Sequence, residues 1–417
     1  MIHYKNALSK LKKNKIKIKS EIVTVEKSLN RISSINLNSP NNYPAANNTA
    51  FDGFAINSKE TIKINNKNPK KFHIIKTLAA GDNPKIKKIS KFSTIEVMTG
   101  AIIKKPFDTV IPIEQVKLFP NSSKPKYIII NKKIKKNNFI RFLGSDFKKG
   151  ESVIERSEII NPQHILAFKT LGIKKILVKK KPKIIFYTTG NEISNNSKIP
   201  NWKVRNSNSY YLKSFLENLP FNFIEKKILR DGDLEKFKKE LKINLKSNND
   251  IIITSGAVSA GKFDFVPKII KSFKLKYSFK SAYIRPGKPI MFAKFKSNKA
   301  FFGLPGNPIS SAACFRFFVL PFLNSSLGLK EEQPINAKIK NKFNKKKKFT
   351  RFIKGKLIFS KKGIAEFEIH KGQESFRIKP FTKSNVWGLF PSGKENFKKG
   401  DLIECYNSEI TNNLFFK

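Results

Sequence analysis

Acidic residues are scarce in this 417-residue chain: 30 Asp and Glu stand against 84 Lys and Arg, a formal net charge of +54. Cysteine is scarcer still. Cys314 and Cys405 cannot build a disulfide framework, and neither has neighbours at metal-ligand spacing. The 4 histidines, His3, His73, His164 and His370, fall in no catalytic motif, which disfavours chemistry built on a histidine base. No apolar run approaches the roughly 20 residues that a membrane helix needs. The basic start, MIHYKNALSKLKKNKIKIKSEI, lacks an unbroken apolar segment and a small-residue cleavage site, so no secretory signal is expected. These absences predict a soluble, reduced, cytoplasmic protein of roughly two to four domains.

Apolar residues make up 39% of the chain and aromatics 12%, mostly Phe and Ile, so there is material for more than one core. The basic surplus suggests nucleic acid or an anionic membrane, but a binding face concentrates its charge. Here lysine is tiled along the whole length, among abundant Asn, Ile and Phe and only 2 Trp, the pattern of an AT-rich coding sequence. Weak, salt-sensitive binding to polyanions is expected, and a specific nucleic-acid role is not. Four ten-residue blocks lack Lys and Arg altogether: 41–50, 251–260, 301–310 and 401–410. Where lysine is tolerated almost everywhere, its absence marks backbone that packs closely or approaches a ligand.

From about residue 182 the pattern becomes strand, glycine loop, helix. Lys183–Tyr187 reads as a buried strand running into Thr188-Thr189-Gly190-Asn191-Glu192. Asp250–Thr254 is a second, followed by Ser255-Gly256-Ala257-Val258-Ser259-Ala260-Gly261-Lys262-Phe263-Asp264. Ala300–Leu304 is a third, followed by Pro305-Gly306-Asn307-Pro308 and an apolar packing helix over Ile309–Leu320, with Cys314 inside it. Asn208–Leu219 and Asp233–Leu245, the latter with Asp233 in N-cap position, read as the intervening helices. The repeat predicts a doubly wound parallel sheet whose ligand sits outside the carboxyl ends of the strands. Glycine there lets backbone N–H groups approach an anion. Glu192 and Asp264 would repel a phosphate unless a divalent cation bridged them, and Mg²⁺ suits one or two carboxylates plus phosphate oxygens. Lys288, in Arg285-Pro286-Gly287-Lys288-Pro289, lies on a proline-stiffened turn that could hold its amine at an oxyanion.

Together with motifs elsewhere, these segments resemble the molybdopterin molybdenumtransferase family (MoeA and the gephyrin E domain). Asn48-Thr49-Ala50-Phe51-Asp52-Gly53-Phe54-Ala55 is similar to the family's N-S-A-M-D-G-Y-A segment. Glu96-Val97-Met98-Thr99-Gly100-Ala101, with Phe107-Asp108-Thr109-Val110, resembles its I-M-T-G-A-x-x-P-x-G-A-D-T-V stretch. Arg141–Asp146 with Lys149-Gly150-Glu151 resembles R-x-x-G-E-D-x-x-x-G-E. Thr189–Glu192 stands for T-G-D-E and Ser255–Asp264 for S-G-G-V-S-V-G-x-x-D, while Pro286–Pro289 and Leu304–Pro308 are spelled as the family spells them.

The resemblance implies an enzyme that binds adenylylated molybdopterin, releases AMP with Mg²⁺, and inserts molybdate, its co-substrate, at the dithiolene sulfurs. It implies a homodimer with active sites shared between subunits, and contact with the upstream adenylyltransferase and downstream molybdoenzymes. No membrane or specific nucleic acid is implied. The expected layout is an N-terminal region over 1–52 and 141–179, a β-rich domain inserted at 53–140, the α/β domain at 180–328, and a C-terminal β-barrel-like domain at 329–417. Carried over by position, Asp52, Thr99, Asp146, Asp231 and Lys288 are the expected catalytic residues, with Glu192 and Asp264 on the metal. Gly190, Ser255, Gly256, Ser259, Gly261, Arg285, Pro289, Pro305, Gly306, Asn307, Arg351 and Ser375 are the expected substrate contacts.

Without the resemblance, several of these residues have plainer roles. Asp52 could cap a turn before Gly53, Thr99 could satisfy a loop amide, Asp146 could pair with a nearby lysine, and Asp231 could belong to the cap near Asp233. Lys345–Lys348, beside Arg351, reads most simply as a solvated linker. Four loop positions depart from the family: Asn191 for Asp, Ala257 for the second Gly, Ala260 for Val, and Lys262 for an acid. Asn191 leaves the metal site one carboxylate short, and Ala257 is costly where its φ must be positive. An adenylyltransferase would resemble the α/β portion alone, and a receptor-clustering scaffold would bind a peptide. The Asp52 and Thr99 motifs and the nearly complete acid set favour molybdenum insertion over both.

Overall fold

The computed structural model describes residues 1–217, 219–258, 266–273 and 277–408. The chain crosses its N-terminal region twice. Strand Ser20–Thr24 pairs antiparallel with Lys175–Lys179, and Asn48–Thr49 with Ile140–Arg141. Between the latter two crossings lies a six-stranded sheet in the order Thr109–Pro112, Gly53–Ile56, Ser93–Val97, Lys70–Leu78, Tyr127–Ile130, Lys117–Phe119. It buries both faces: Phe54, Ile56, Phe72 and Ile128 on one, Ala55, Leu78, Ile95 and Val97 on the other. Gly53 opens its strand because a Cβ there would come within 2.1 Å of the Ile111 carbonyl oxygen.

Three parallel strands form the middle of the central sheet: β1 (Lys183–Thr188), β2 (Ile251–Ser255) and β3 (Lys299–Leu304). Asn222–Glu225 lies parallel outside β1; Met291–Phe295 lies antiparallel outside β3, and Tyr277–Phe279 pairs antiparallel with Met291–Phe295 at the edge. All of β2 is buried, with Ile251 and Ile253 entering one core and Ile252 the other, as a strand covered on both sides requires. Helix α1 (Asn208–Leu216) covers the first face with Leu212 and Leu216, and α2 (Leu234–Lys246) the second with Phe237 and Leu241, each pair at helical spacing.

The elements read from sequence shift only at their ends. α1 ends before the predicted Leu219. Asp233 is the N-cap of α2, but its carboxylate turns back to accept from the Arg230 N–H at 2.9 Å instead of from the helix. The apolar segment expected as one helix over Ile309–Leu320 is α3 (Pro308–Cys314), then a π-helical stretch, Phe315–Val319, then a further helix, Leu320–Leu327. Pro321 has no N–H to return to the preceding turn, and the wider π turn takes up that break. From this stretch buried Arg316 donates to the Asn407 carbonyl at 2.8 Å and pairs with Glu332.

The C-terminal part is a five-stranded barrel. β4 (Thr350–Phe359) pairs with both Ala365–Ile369 and Val386–Phe390, and Ile335–Ile339 and Leu402–Asn407 complete the ring. Ile353, Leu357, Phe367 and Phe390 fill it. A short strand, Ile284–Arg285, leaves the α/β part and runs parallel to the start of β4. The architecture is thus α/β and multidomain, with a β-rich insertion and a terminal barrel. Among the described residues no helix is long and apolar enough to cross a membrane.

Candidate functional site

The register of the central sheet places Thr188, Ser255 and Leu304 side by side, so the glycine loops leave from one edge. The Thr189 N–H and hydroxyl both donate to the Ser255 carbonyl, at 3.0 and 3.1 Å, and Gly256 N–H donates to the Leu304 carbonyl at 2.9 Å. A Cβ on Gly256 would lie 2.5 Å from Thr189 Oγ1, so only glycine allows this approach. Gly190 has φ +135°, and the Glu192 carboxylate folds over it, with oxygens 2.5 and 2.7 Å from where a Cβ would be. One expectation is corrected here. The N–H groups of Gly190 and Gly256 do not face outward to an anion, because they are spent on the Leu229 and Leu304 carbonyls.

Arg230 knots the first loop. Its guanidinium donates to the carbonyls of Gly190, Asn191 and Ile193 at 2.9, 3.2 and 2.8 Å. Asn191 Oδ1 accepts from the Asp231 N–H at 3.1 Å, so the amide that replaces an acid holds Asp231 in place. Glu192 is exposed and, among the described residues, enters no ion pair in a chain rich in cations. Ser259, Gly261 and Asp264, with the departures Ala260 and Lys262, lie outside the described residues. Among those described, no group of three or more His, Cys, Asp or Glu forms a metal cluster. Ala257 has φ +54°, directly after Gly256 at +100°. The departure therefore falls where a Cβ is costly.

On the first face of the sheet, Asn208 at the start of α1 donates to Ser255 Oγ at 2.5 Å and to the Gly306 carbonyl at 2.8 Å. Ser255 Oγ donates on to the carbonyl of buried Pro305 at 3.3 Å. Asn307 caps α3, accepting from the Ser310 N–H.

A second group gathers at the seam between the sheet and the barrel. Strand pairing sets Arg285 beside Arg351, and the Arg285 guanidinium lies 4.9 Å from the Phe349 ring centroid. Burial, and then the charge of Arg285, pull the Arg351 guanidinium below its ordinary value, and Arg351 Nε is buried without a hydrogen-bond partner among the described residues. Lys288 is exposed, with Pro289 half-buried behind it. Its turn rests on Cys314, whose Sγ lies 3.4 Å from the Gly287 carbonyl oxygen and would be 2.4 Å from a Cβ on Gly287. Burial pushes that thiol well up, so it packs and does not react. Lys345 is buried, not part of a solvated linker: its ammonium donates to the Phe349 carbonyl at 2.8 Å. Ser375 lies on a loop clamped to β4. The Gln373 amide exchanges hydrogen bonds with the Lys354 backbone at 2.9 and 2.8 Å, and the Lys354 ammonium donates to the Glu374 and Arg377 carbonyls at 3.0 and 2.9 Å. Burial pulls that ammonium down to about 8.

The third group stands apart. Asp52 Oδ1 accepts the Thr99 N–H at 2.6 Å and its hydroxyl at 2.7 Å, which holds the Asp52 carboxyl below its ordinary value. The Thr99 hydroxyl thus serves a carboxylate, not a loop amide. Asp146 is exposed; its N–H donates to the Tyr43 carbonyl at 3.0 Å, and among the described residues it pairs with no lysine. Among those residues no hydrogen bond joins Asp52, Thr99 or Asp146 to the strand-end loops. Sequence reasoning missed Asn208, Arg230, Lys345, Lys354 and Gln373. Arginine in a lysine-dominated chain was the available signal for Arg230; the others had none.

Family models match the chain in three consecutive parts: residues 2–172 to "MoeA N-terminal region (domain I and II)", 185–325 to "Probable molybdopterin binding domain", and 336–407 to "MoeA C-terminal region (domain IV)". The molybdopterin molybdenumtransferase of Staphylococcus epidermidis is 30% identical over 412 residues, 98% of this chain and 96% of that protein. The Staphylococcus aureus protein of the same name is 29% identical over the same shares. Two crystal structures of the molybdopterin biosynthesis MoeA protein of Pyrococcus horikoshii are similar end to end. One has TM-score 0.83 at 25% identity, covering 98% of this chain and 99% of the other; the second has TM-score 0.80 at 26%, covering 97% and 99%.

The strained position generates a prediction. Ala257→Gly relieves a left-handed Cβ worth about 1–2 kcal/mol and loses part of that gain, about 0.4–1 kcal/mol, to a freer unfolded chain. Urea unfolding is expected to show the variant about 0.5–1 kcal/mol more stable; a variant less stable than the natural chain would refute the strain.

Proposed function

The chain belongs to the MoeA family of molybdopterin molybdenumtransferases, and on that footing we propose that it completes the molybdenum cofactor. In this reading it binds adenylylated molybdopterin at the ends of β1–β3, releases AMP by hydrolysis with Mg²⁺, and directs molybdate to the dithiolene sulfurs. The observation that carries it is the pair Arg285 and Arg351. Two like charges side by side, one with a buried donor lacking an acceptor, are unfavourable alone and become favourable around an oxyanion. Lys288 would add an exposed third cation, and Ser375 a hydroxyl on a clamped loop.

At the strand ends the N–H groups of Gly190 and Gly256 are spent, so part of the charge on the adenylate must be met by something else. The unpaired Glu192 carboxylate fits a hard cation, and Asp264 would be its second carboxylate. When bound, Mg²⁺ supplies neutralisation of the phosphate charge. The chain's own part is to hold the ligand: Pro305, Gly306 and Asn307 line one side, Gly190 and Glu192 the other, with Asp231 fixed through Asn191. Ser259 and Gly261 belong to the same loop as Asp264.

Asp52, Thr99 and Asp146 fit this reading in a homodimer, reaching the strand ends of the partner subunit. The lysine-free block 41–50 supports that. Asn41, Tyr43 and Ala45 in it are exposed in a single chain, and a cleft of about 340 Å³ lined by Asn41, Asn42, Tyr43, Ala45 and Thr170–Gly172 lies along it. We place the unit boundaries at 1–52 with 141–179, 53–140, 180–328 and 329–417, and the protein in the cytoplasm, between the enzyme that adenylylates molybdopterin and the molybdoenzymes that take the product.

Three experiments test these assignments. Glu192→Gln is expected to lose AMP release at an unchanged melting temperature; equal turnover would remove Glu192 from the metal. Lys288→Ala and Arg351→Gln are expected to raise the molybdate concentration for half-maximal insertion, about tenfold for Arg351, while AMP release without insertion changes less. Unchanged molybdate dependence in both would end the oxyanion assignment. Asp52→Ala and Glu192→Ala homodimers are each expected to be inactive, while doubly tagged heterodimers recover about half the natural rate, since one composite site is intact. Heterodimers as inactive as either parent would rule out sharing across the interface.

A further inference from the structure

We infer that Asn208 is a positioning residue: it sets the spacing of the loops after β2 and β3, and through them the affinity for the phosphate-bearing part of the ligand. The inference rests on the adenylate reading above. The first support is hydrogen-bond arithmetic. A side-chain amide has two N–H hydrogens, and Asn208 Nδ2 gives them to Ser255 Oγ at 2.5 Å and the Gly306 carbonyl at 2.8 Å. Gly306 O only accepts, so the amide cannot be turned round to place Oδ1 there. The orientation is therefore dictated by chemistry. Asn208 is buried to 8% exposure, which makes each of these bonds costly to lose without a substitute.

The second support is what else holds the two loops. Ser255 Oγ passes its own hydrogen to the Pro305 carbonyl at 3.3 Å, and the Gly256 N–H reaches the Leu304 carbonyl at 2.9 Å. These sit at the strand ends. Beyond them, among the described residues, Asn208 is the side chain that bonds to both loops at once. The two loops lie side by side: a Cβ on Gly306 would make an ordinary contact with the Gly256 Cα at 3.5 Å. The loop after β1 has a separate anchor two residues earlier. Asn206 Oδ1 accepts the Thr188 hydroxyl at 3.2 Å, and its Nδ2 donates to Asn195 and Glu225 at 3.0 Å each. The run Asn206-Ser207-Asn208 thus lies along the sheet edge as a rail with one amide per loop junction.

The third support is separability. The cationic seam at Arg285 and Arg351 is held by strand pairing, by Cys314 under Gly287, and by the Lys354 and Gln373 clamp, none of which involves Asn208. A change at Asn208 should therefore reach the strand-end loops and leave the oxyanion seam alone.

Asn208→Asp keeps the shape and removes both donors, setting a carboxylate against the Gly306 carbonyl. In the full-length protein, calorimetry with AMP in excess Mg²⁺ is expected to show binding about tenfold weaker than the natural chain near pH 8. A carboxyl facing a carbonyl takes up a proton readily and becomes a donor again, so near pH 5 the deficit is expected to shrink to under about threefold. Molybdate binding is expected to stay within about twofold at both pH values. Ser255→Ala, which leaves the Gly306 bond in place, is expected to lose about threefold in AMP affinity. Natural-like AMP binding by Asn208→Asp would overturn the inference. So would a parallel loss of AMP and molybdate affinity with a lowered melting temperature, the mark of general damage. A natural chain that binds no AMP with Mg²⁺ would overturn the adenylate reading and this inference with it.

Discussion

Because β1, β2 and β3 pair without offset, Thr188, Ser255 and Leu304 finish at one level, and the three glycine loops start from that line. Parallel pairing between strands buried on both faces makes any slip expensive, since it would exchange Ile251 and Ile253 with Ile252 between two separate cores. The same line also sets where α3 begins. From Leu304 the chain passes through the Asn307 cap into α3, a rod of 7 residues and so about 10 Å long. At its far end stands Cys314, against the turn that carries Lys288. α3 thus packs under the Lys288 turn, while the pairing of Arg285 with Arg351 is set by the strands themselves.

What the sequence made legible follows from periodicity and composition. The three strands were placed within a residue because continuous runs of Ile and Phe between glycine and proline have few other readings. The acids Asp52, Asp146, Glu192 and Asp231 and the Lys288 turn were singled out through motif spelling. The internal knots were not. Asn208 and Gln373 act through single bonds to backbone that is distant in sequence, which no period reveals, and Asp52 meets Thr99 across 47 residues. Lys345 was misjudged because four lysines in a row look alike, and only the fold shows that one of them turns inward.

Charge needs reading by kind as well as by amount. Lysine covers the surface so evenly that its positions say little, but arginine is scarce and is placed differently. Arg31, Arg205, Arg230 and Arg316 each donate to backbone carbonyls of a distant segment or a loop, and Arg285 and Arg351 make the seam. A planar fork of donors can bind several carbonyls at once, and an ammonium on a flexible stem does so at greater entropic cost. In a chain with this composition, arginine marks structure and lysine mostly marks solvent.

The seam joins the α/β part to the barrel through two guanidiniums that repel each other. An oxyanion seated between them would therefore act as a member of the fold as well as a reactant. Anything that binds the native state alone adds to its stability in proportion to the logarithm of its concentration. A cell well supplied with the oxyanion would hold a tighter protein, and a starved cell a looser one more open to proteolysis. Supply of such an oxyanion would then bear on how long the protein survives.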